Sequence, residues 1–144
     1  MTRDESGSAL VEVTWLSLLL LVPLVYILLA VFAVQSGSYA VSGAARAAAR
    51  AYALAPDEAS APGRARAALG VALADHDIAS GQVDMRVSCR PAPRNCLAPG
   101  SVISVSVRHQ VPLPLAPAAL GRQAPSVRVE AEHAVGYGTF REDR

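Results

Sequence analysis

Glu12 raises a chemical question because it is the only charge in an otherwise apolar stretch that begins at Ala9 and runs to Val34. A carboxylate inside a membrane helix is costly unless it lies near the interface or finds a partner. Gly7 lies five residues earlier, in the string G-S-A-L-V-E. Glycine lacks a Cβ and accepts the backbone conformations that a protease cleft imposes at a scissile bond. Cleavage between Gly7 and Ser8 would liberate an amine with an ordinary pKa of about 7.7–8.0. Glu12 could then neutralise the Ser8 amine of a neighbouring subunit and set the axial register of an assembly. Such a pair adds little net stability, but leaving either charge alone is expensive. A simpler reading places Glu12 in the first helical turn, favoured by the helix dipole and solvated by headgroups.

Cys89 and Cys96 are the only cysteines and enclose six residues in CRPAPRNC. An even pair in an extracytoplasmic segment of a small protein reads as a disulfide, with two reduced thiols as the alternative. Closing that loop contributes about 2–3 kcal/mol in the chain-entropy model. A single C-x6-C lacks the further ligands of a metal site, so no metal is expected. Asp75-His76-Asp77 could suggest an acid/base or metal cluster, but consecutive helical residues point in different directions, and a solvated helix end is expected. His109 and His133 fall on apolar strand faces, where satisfied histidines are commoner than ligands. No Ser/His/Asp spacing, phosphate-binding glycine loop or H-E-x-x-H is present. No catalytic residue, cofactor or enzyme class is therefore expected.

The elements that carry these residues begin with a membrane segment. From Val13 to Val34 the chain runs 22 residues without a charge, about 33 Å of α-helix and enough for a hydrocarbon core of about 30 Å. Pro23 interrupts the run, and a bend is expected near Leu19 to Pro23. Val31-Phe32-Ala33 offers small residues to signal peptidase, but the run exceeds a usual signal core and MTRDESG has no positive surplus. Arg46 and Arg50, taken alone, would place the C-terminal side in the cytoplasm, whereas the cysteine pair argues for the outside.

SALVEV before the span, the G-S-A-L-V-E processing string and the small-residue segment YAVSGAARAAARAY, Tyr39 to Tyr52, together resemble the TadE-like proteins of tight-adherence (Flp-type) pilus systems. The resemblance covers roughly the first 55 residues. It implies a minor pilin or pseudopilin matured by a prepilin peptidase, with Gly7 and Ser8 flanking the processed bond and Glu12 acting in assembly. It also implies other pilin subunits and the assembly machinery as partners, a cytoplasmic N-terminus and an extracytoplasmic head. Val13 stands where the family commonly has an aromatic residue.

The expected fold class is α+β: a leader (1–7), a transmembrane helix (8–36), a helical stalk (37–56) and a small head (57–144). Alanine favours continuation of the helix past the span, and Pro56 supplies the stop. Small residues at Ala40, Ala44, Ala48 and at Gly43, Ala47, Ala51 would permit close helix approach. A second helix is expected from about Pro62 to Asp75, with Ser60 as candidate cap and Leu69, Ala72, Leu73 and His76 on one stripe. Three period-two segments follow. Val83–Cys89, Ile103–Val111 and Val127–Tyr137 each alternate apolar with polar residues, the pattern of an antiparallel sheet with one buried face.

The 144 residues exclude most multidomain enzymes, and a net charge of +1 with 17% charged residues gives no field for nucleic acid. Mean hydropathy is +0.31 with only 5% aromatics, an apolar excess concentrated in the N-terminal third. Five acids between Asp57 and Asp84 precede six arginines between Met85 and Arg128, giving the head a polarity along the sequence. The expected protein is a membrane-bound structural component that contacts lipid, with no nucleic acid and no small-molecule substrate. The alternatives are an uncleaved single-pass protein whose head binds an envelope partner, and a secreted enzyme released after Ala33.

Overall fold

The computed structural model describes residues 6–114 and 125–140, with side chains from residue 10 onward. Helix α1 runs from Ser6 to Ala53 and carries through Pro23 without a break in its helical assignment. At 1.5 Å per residue it is about 72 Å long. Its lower part is apolar and exposed: Trp15 is 70% accessible and Leu20 71%. It is the one helix among the described residues long and apolar enough to cross a membrane.

The upper part of the same helix is buried. Ala40, Val41, Ala44, Ala45, Ala48, Ala49 and Tyr52 form a stripe that is 0–4% accessible. Alanine suits this position because it combines the highest helix propensity with a side chain small enough for close packing. The row Ala40, Ala44, Ala48 is thus occupied by the head of its own chain. Gly43 on the other row is exposed, with Ala47 and Ala51 half-buried. The helical segment 37–53 is therefore both the continuation of the exposed apolar part of α1 and a central wall of the head.

Helix α2, Ala61–Ala74, packs against α1. Its buried row is Ala61, Ala65, Leu69 and Leu73, a four-residue repeat. The expected stripe differs at two positions: Ala72 is half-buried and His76 is exposed past the helix end. Ser60 occupies the N-cap position but its side chain makes no cap bond. Instead its backbone N–H donates to Asp57 Oδ1 at 2.8 Å and its hydroxyl donates to the Asp57 carbonyl.

Strands β1 (Val83–Arg90), β2 (Val102–Pro112) and β3 (Ser126–Gly136) form an antiparallel meander in that order. Ile103, Val105, Val107, His109 and Val111 point inward along β2 and are all buried, as period-two patterning requires. Helix α1 lies across β2 and β3 and closes the face. The peptide bond from Arg90 to Pro91 is cis. The proline-rich connection between β2 and β3 lies mostly outside the described residues.

Two close approaches fix α1 on the sheet. At the lower end Gly37 faces Val111, and a Cβ on Gly37 would overlap Val111 Cγ2. At the upper end Tyr52 and Ala53 are buried in the same core as Leu97, which is fully buried. Gly100, in the turn before β2, has φ +81°, a left-handed conformation that glycine adopts without a steric penalty.

Candidate functional site

Gly7 and Ser8 lie in the first turns of α1, and Glu12 stands one turn further along on the exposed part of the helix. Thr14, half a turn beyond, donates its hydroxyl to the Leu10 carbonyl at 2.8 Å, so its polar group is satisfied within the helix. Among the described residues no hydrogen bond or ion pair engages Glu12. The distance along α1 from Glu12 to Gly37 is about 37 Å at the standard rise. In an unperturbed helix these two positions are within about 20° of one face at 3.6 residues per turn.

Cys89 and Cys96 form a disulfide, with Cα atoms 5.3 Å apart, at the top of β1. This bond closes the turn that presents Leu97 to the core. A carboxylate that the sequence offers only as part of an acidic run completes the arrangement. Glu58 Oε1 accepts a hydrogen bond from the Tyr52 hydroxyl at 2.6 Å, and Oε2 accepts from the Leu97 N–H at 3.1 Å. Glu58 thereby ties the end of α1 to the disulfide turn across 39 residues of sequence. Burial first, then the hydrogen bond to Glu58 and the charge of Glu58, push the Tyr52 hydroxyl above its ordinary pKa. Asp57, next in the chain, has its carboxyl held below the usual range, first by the backbone N–H of Ser60 and then by the Ser60 side chain.

The remaining candidates separate. Asp75, His76 and Asp77 are all exposed at the end of α2, with Asp77 at φ +56°. The described residues hold no group of three metal-ligating side chains. His109 is 8% accessible and its Nδ1 lies 3.0 Å from the Gln82 carbonyl. His133 is not its neighbour: His109 faces Val83 and Val129, whereas His133 faces Val105. Four residues along a strand put the two rings about 13 Å apart.

Folding also disperses the charge polarity read along the sequence. Asp84, Arg108 and Glu130 occupy one row across the three strands. Arg108 pairs with Glu130 at 2.9 Å, and Arg86 pairs with Asp84 at 3.2 Å. The outer face of the sheet consequently mixes both signs. Arg122 lies outside the described residues.

The architecture is a single long helix, apolar below and alanine-rich above, carrying a disulfide-closed α+β head. No protein-family model, curated protein or solved structure matches the chain.

Proposed function

We propose that the chain is a minor pilin or pseudopilin of a tight-adherence (Flp-type) pilus or related secretion filament, matured by a prepilin peptidase. The observation that carries the reading is the placement of Glu12: a lone carboxylate five residues after Gly7, on a helix whose exposed apolar part is fused to a small head. The helix would anchor the chain with its N-terminus in the cytoplasm and its head outside, where the disulfide is chemically favoured. Processing between Gly7 and Ser8 would leave an amine beside the membrane, and Glu12 of an adjacent subunit would meet it. The protein would then be a substrate of processing and a component of assembly, with the prepilin peptidase and other pilin subunits as partners.

The resemblance of SALVEV and of the Tyr39–Tyr52 segment to TadE-like proteins supports this reading, as does the continuity of α1 from the apolar part into the head. The uncleaved alternative, a tethered head that binds an envelope partner, uses the same helix and the same disulfide. Intact mass and N-terminal sequencing of the protein from its native host decide between them. A chain beginning at Ser8 supports the filament reading, and one beginning at Met1 or Thr2 replaces it with the tethered module. A start at Val34 points instead to release by signal peptidase.

A further inference from the structure

The head does not stand clear of the apolar part of α1. Ala33 and Val34, the last turn of the uncharged run, already pack against the head core. Beneath the sheet, a cleft of ≈ 560 Å³ opens between α1 and the base of the head. Ala33, Ser36 and Gly37 form its helix wall, and the turn after α2 and the end of β2 form the other. With α1 as a membrane anchor, the cleft straddles the level at which the hydrocarbon core gives way to headgroups.

Its chemistry favours a cation that can donate hydrogen bonds. His109 lines the cleft and is more than nine-tenths buried. Its Nδ1 donates to the Gln82 carbonyl, so the neutral ring offers Nε2 as an acceptor. Asp77 contributes a carboxylate from the turn after α2. That turn also carries the negative end of the α2 dipole, and no basic residue occupies the last turn of α2 to offset it. The floor includes Ile78 and Val111, which suit the apolar backbone of a lipid rather than a hydrated ion. His76 lines the same cleft, and its ring N–H can donate a hydrogen bond to a phosphate oxygen.

From this juxtaposition we infer that the cleft between α1 and the base of the head is a binding site for the headgroup of an ethanolamine phospholipid, its primary ammonium directed to Asp77 and His109. The inference rests on the membrane-anchor part of the functional reading and is independent of proteolytic processing. The site would set how deeply the head sits on the bilayer.

The test uses the full chain reconstituted in nanodiscs of mixed phosphatidylethanolamine and phosphatidylcholine, followed by transfer to mild detergent and mass spectrometry of the retained lipid. The expected result is a preference of about two- to fivefold for phosphatidylethanolamine, the range of a partly exposed ion pair. Asp77→Asn, which keeps a side chain tolerant of positive φ, should abolish the preference. Ser36→Leu, on the exposed helix wall, should abolish it by filling the cleft. Equal retention of the two lipids by the unaltered protein, or a preference that survives both substitutions, overturns the site. Failure of the chain to enter nanodiscs of either composition overturns the anchor reading itself, and the cleft with it.

Discussion

The Tyr52 hydroxyl donates to Glu58 Oε1 at 2.6 Å, joining the last buried turn of α1 to the loop that leads into α2. The other oxygen of the same carboxylate accepts the Leu97 N–H, so one side chain holds three segments of the head together. Hydrogen bonds to a charged group contribute about 1.5–3 kcal/mol each, and a buried donor left without its acceptor costs about 1–3 kcal/mol. Tyr52→Phe should therefore lower the stability of the head by about 1.5–3 kcal/mol. Glu58→Ala should cost more, because it strands both the hydroxyl and the Leu97 N–H, and Glu58→Gln should fall between the two. Urea denaturation of the full chain in detergent, followed by circular dichroism, measures the order. Equal stability of Glu58→Ala and the unaltered protein would sink the assignment.

The same contacts determine how stability responds to pH. Tyr52 has its pKa raised in the folded state above its ordinary 10.0, so folding favours the neutral phenol. Its contribution is complete below pH 10.0 and declines as pH rises beyond that value. Asp57 has its pKa lowered, so folding favours the carboxylate. Its contribution is present above the ordinary value of 3.8 and disappears as pH falls below it. Thermal midpoints should thus fall at both ends, and Tyr52→Phe should flatten the alkaline limb alone. An alkaline limb of unchanged slope in that variant would remove Tyr52 from the explanation.

Gly37 sets the approach of α1 to β2. In an isolated helix, Gly→Ala is stabilising by about 1 kcal/mol because alanine has the higher propensity. Here the added methyl overlaps Val111 Cγ2, and overpacking of this kind costs about 1–3 kcal/mol. The overlap should win, so Gly37→Ala destabilises the head. Introduced on a Val111→Ala background, the same substitution should become neutral or stabilising. A double-mutant cycle reads the reversal of sign, and an identical effect on both backgrounds would show that the two residues do not touch.

Local periodicity made much of the fold legible. The alternation through Ile103, Val105 and Val107 matches the face of β2 that α1 covers, and Val83, Met85 and Val87 lie on the same face of the neighbouring strand. The unbroken apolar run and the alanine segment after it correspond to the two parts of α1. Contacts between distant segments were not legible. Tyr52, Glu58 and Leu97 each have unexceptional neighbours in sequence, and only the folded path brings them together. The role of Gly37 is equally hidden, because its constraint comes from Val111 rather than from a turn of its own. His76 misses the expected stripe because α2 ends at Ala74, before the next turn can place it on the buried side. Glu12 differs in kind: its signal is local, while the partner proposed for it belongs to another molecule.

The disulfide is expected to matter for the head rather than for membrane insertion. Cys89 is 4% accessible and Cys96 7%, and the turn they close delivers the fully buried Leu97. Chain entropy assigns the bond about 2–3 kcal/mol. Substituting both cysteines by serine should lower the unfolding midpoint accordingly and weaken the Glu58 clasp, while the protein still fractionates with membranes. The joint change is measurable by comparing Glu58→Ala on oxidised and cysteine-free backgrounds. Strict additivity would show that the turn keeps its position without the bond.

Glu12 is separated from Ala33, the first residue of α1 packed against the head core, by about 31 Å of helix, too far for its removal to disturb the core. Its substitution therefore isolates assembly from folding. Under the filament reading, Glu12→Ala should leave membrane insertion, head stability and processing at Gly7 intact, while reducing the share of the protein recovered in sheared surface filaments. Glu12→Gln should behave similarly, because the amide restores polarity but not the charge that meets the Ser8 amine. A charge-specific role thus requires both variants to fail in assembly and Glu12→Asp to recover part of it, the shorter carboxylate reaching less far. If Glu12→Gln assembles normally, the residue serves solvation at the membrane entrance, and register must come from contacts between heads.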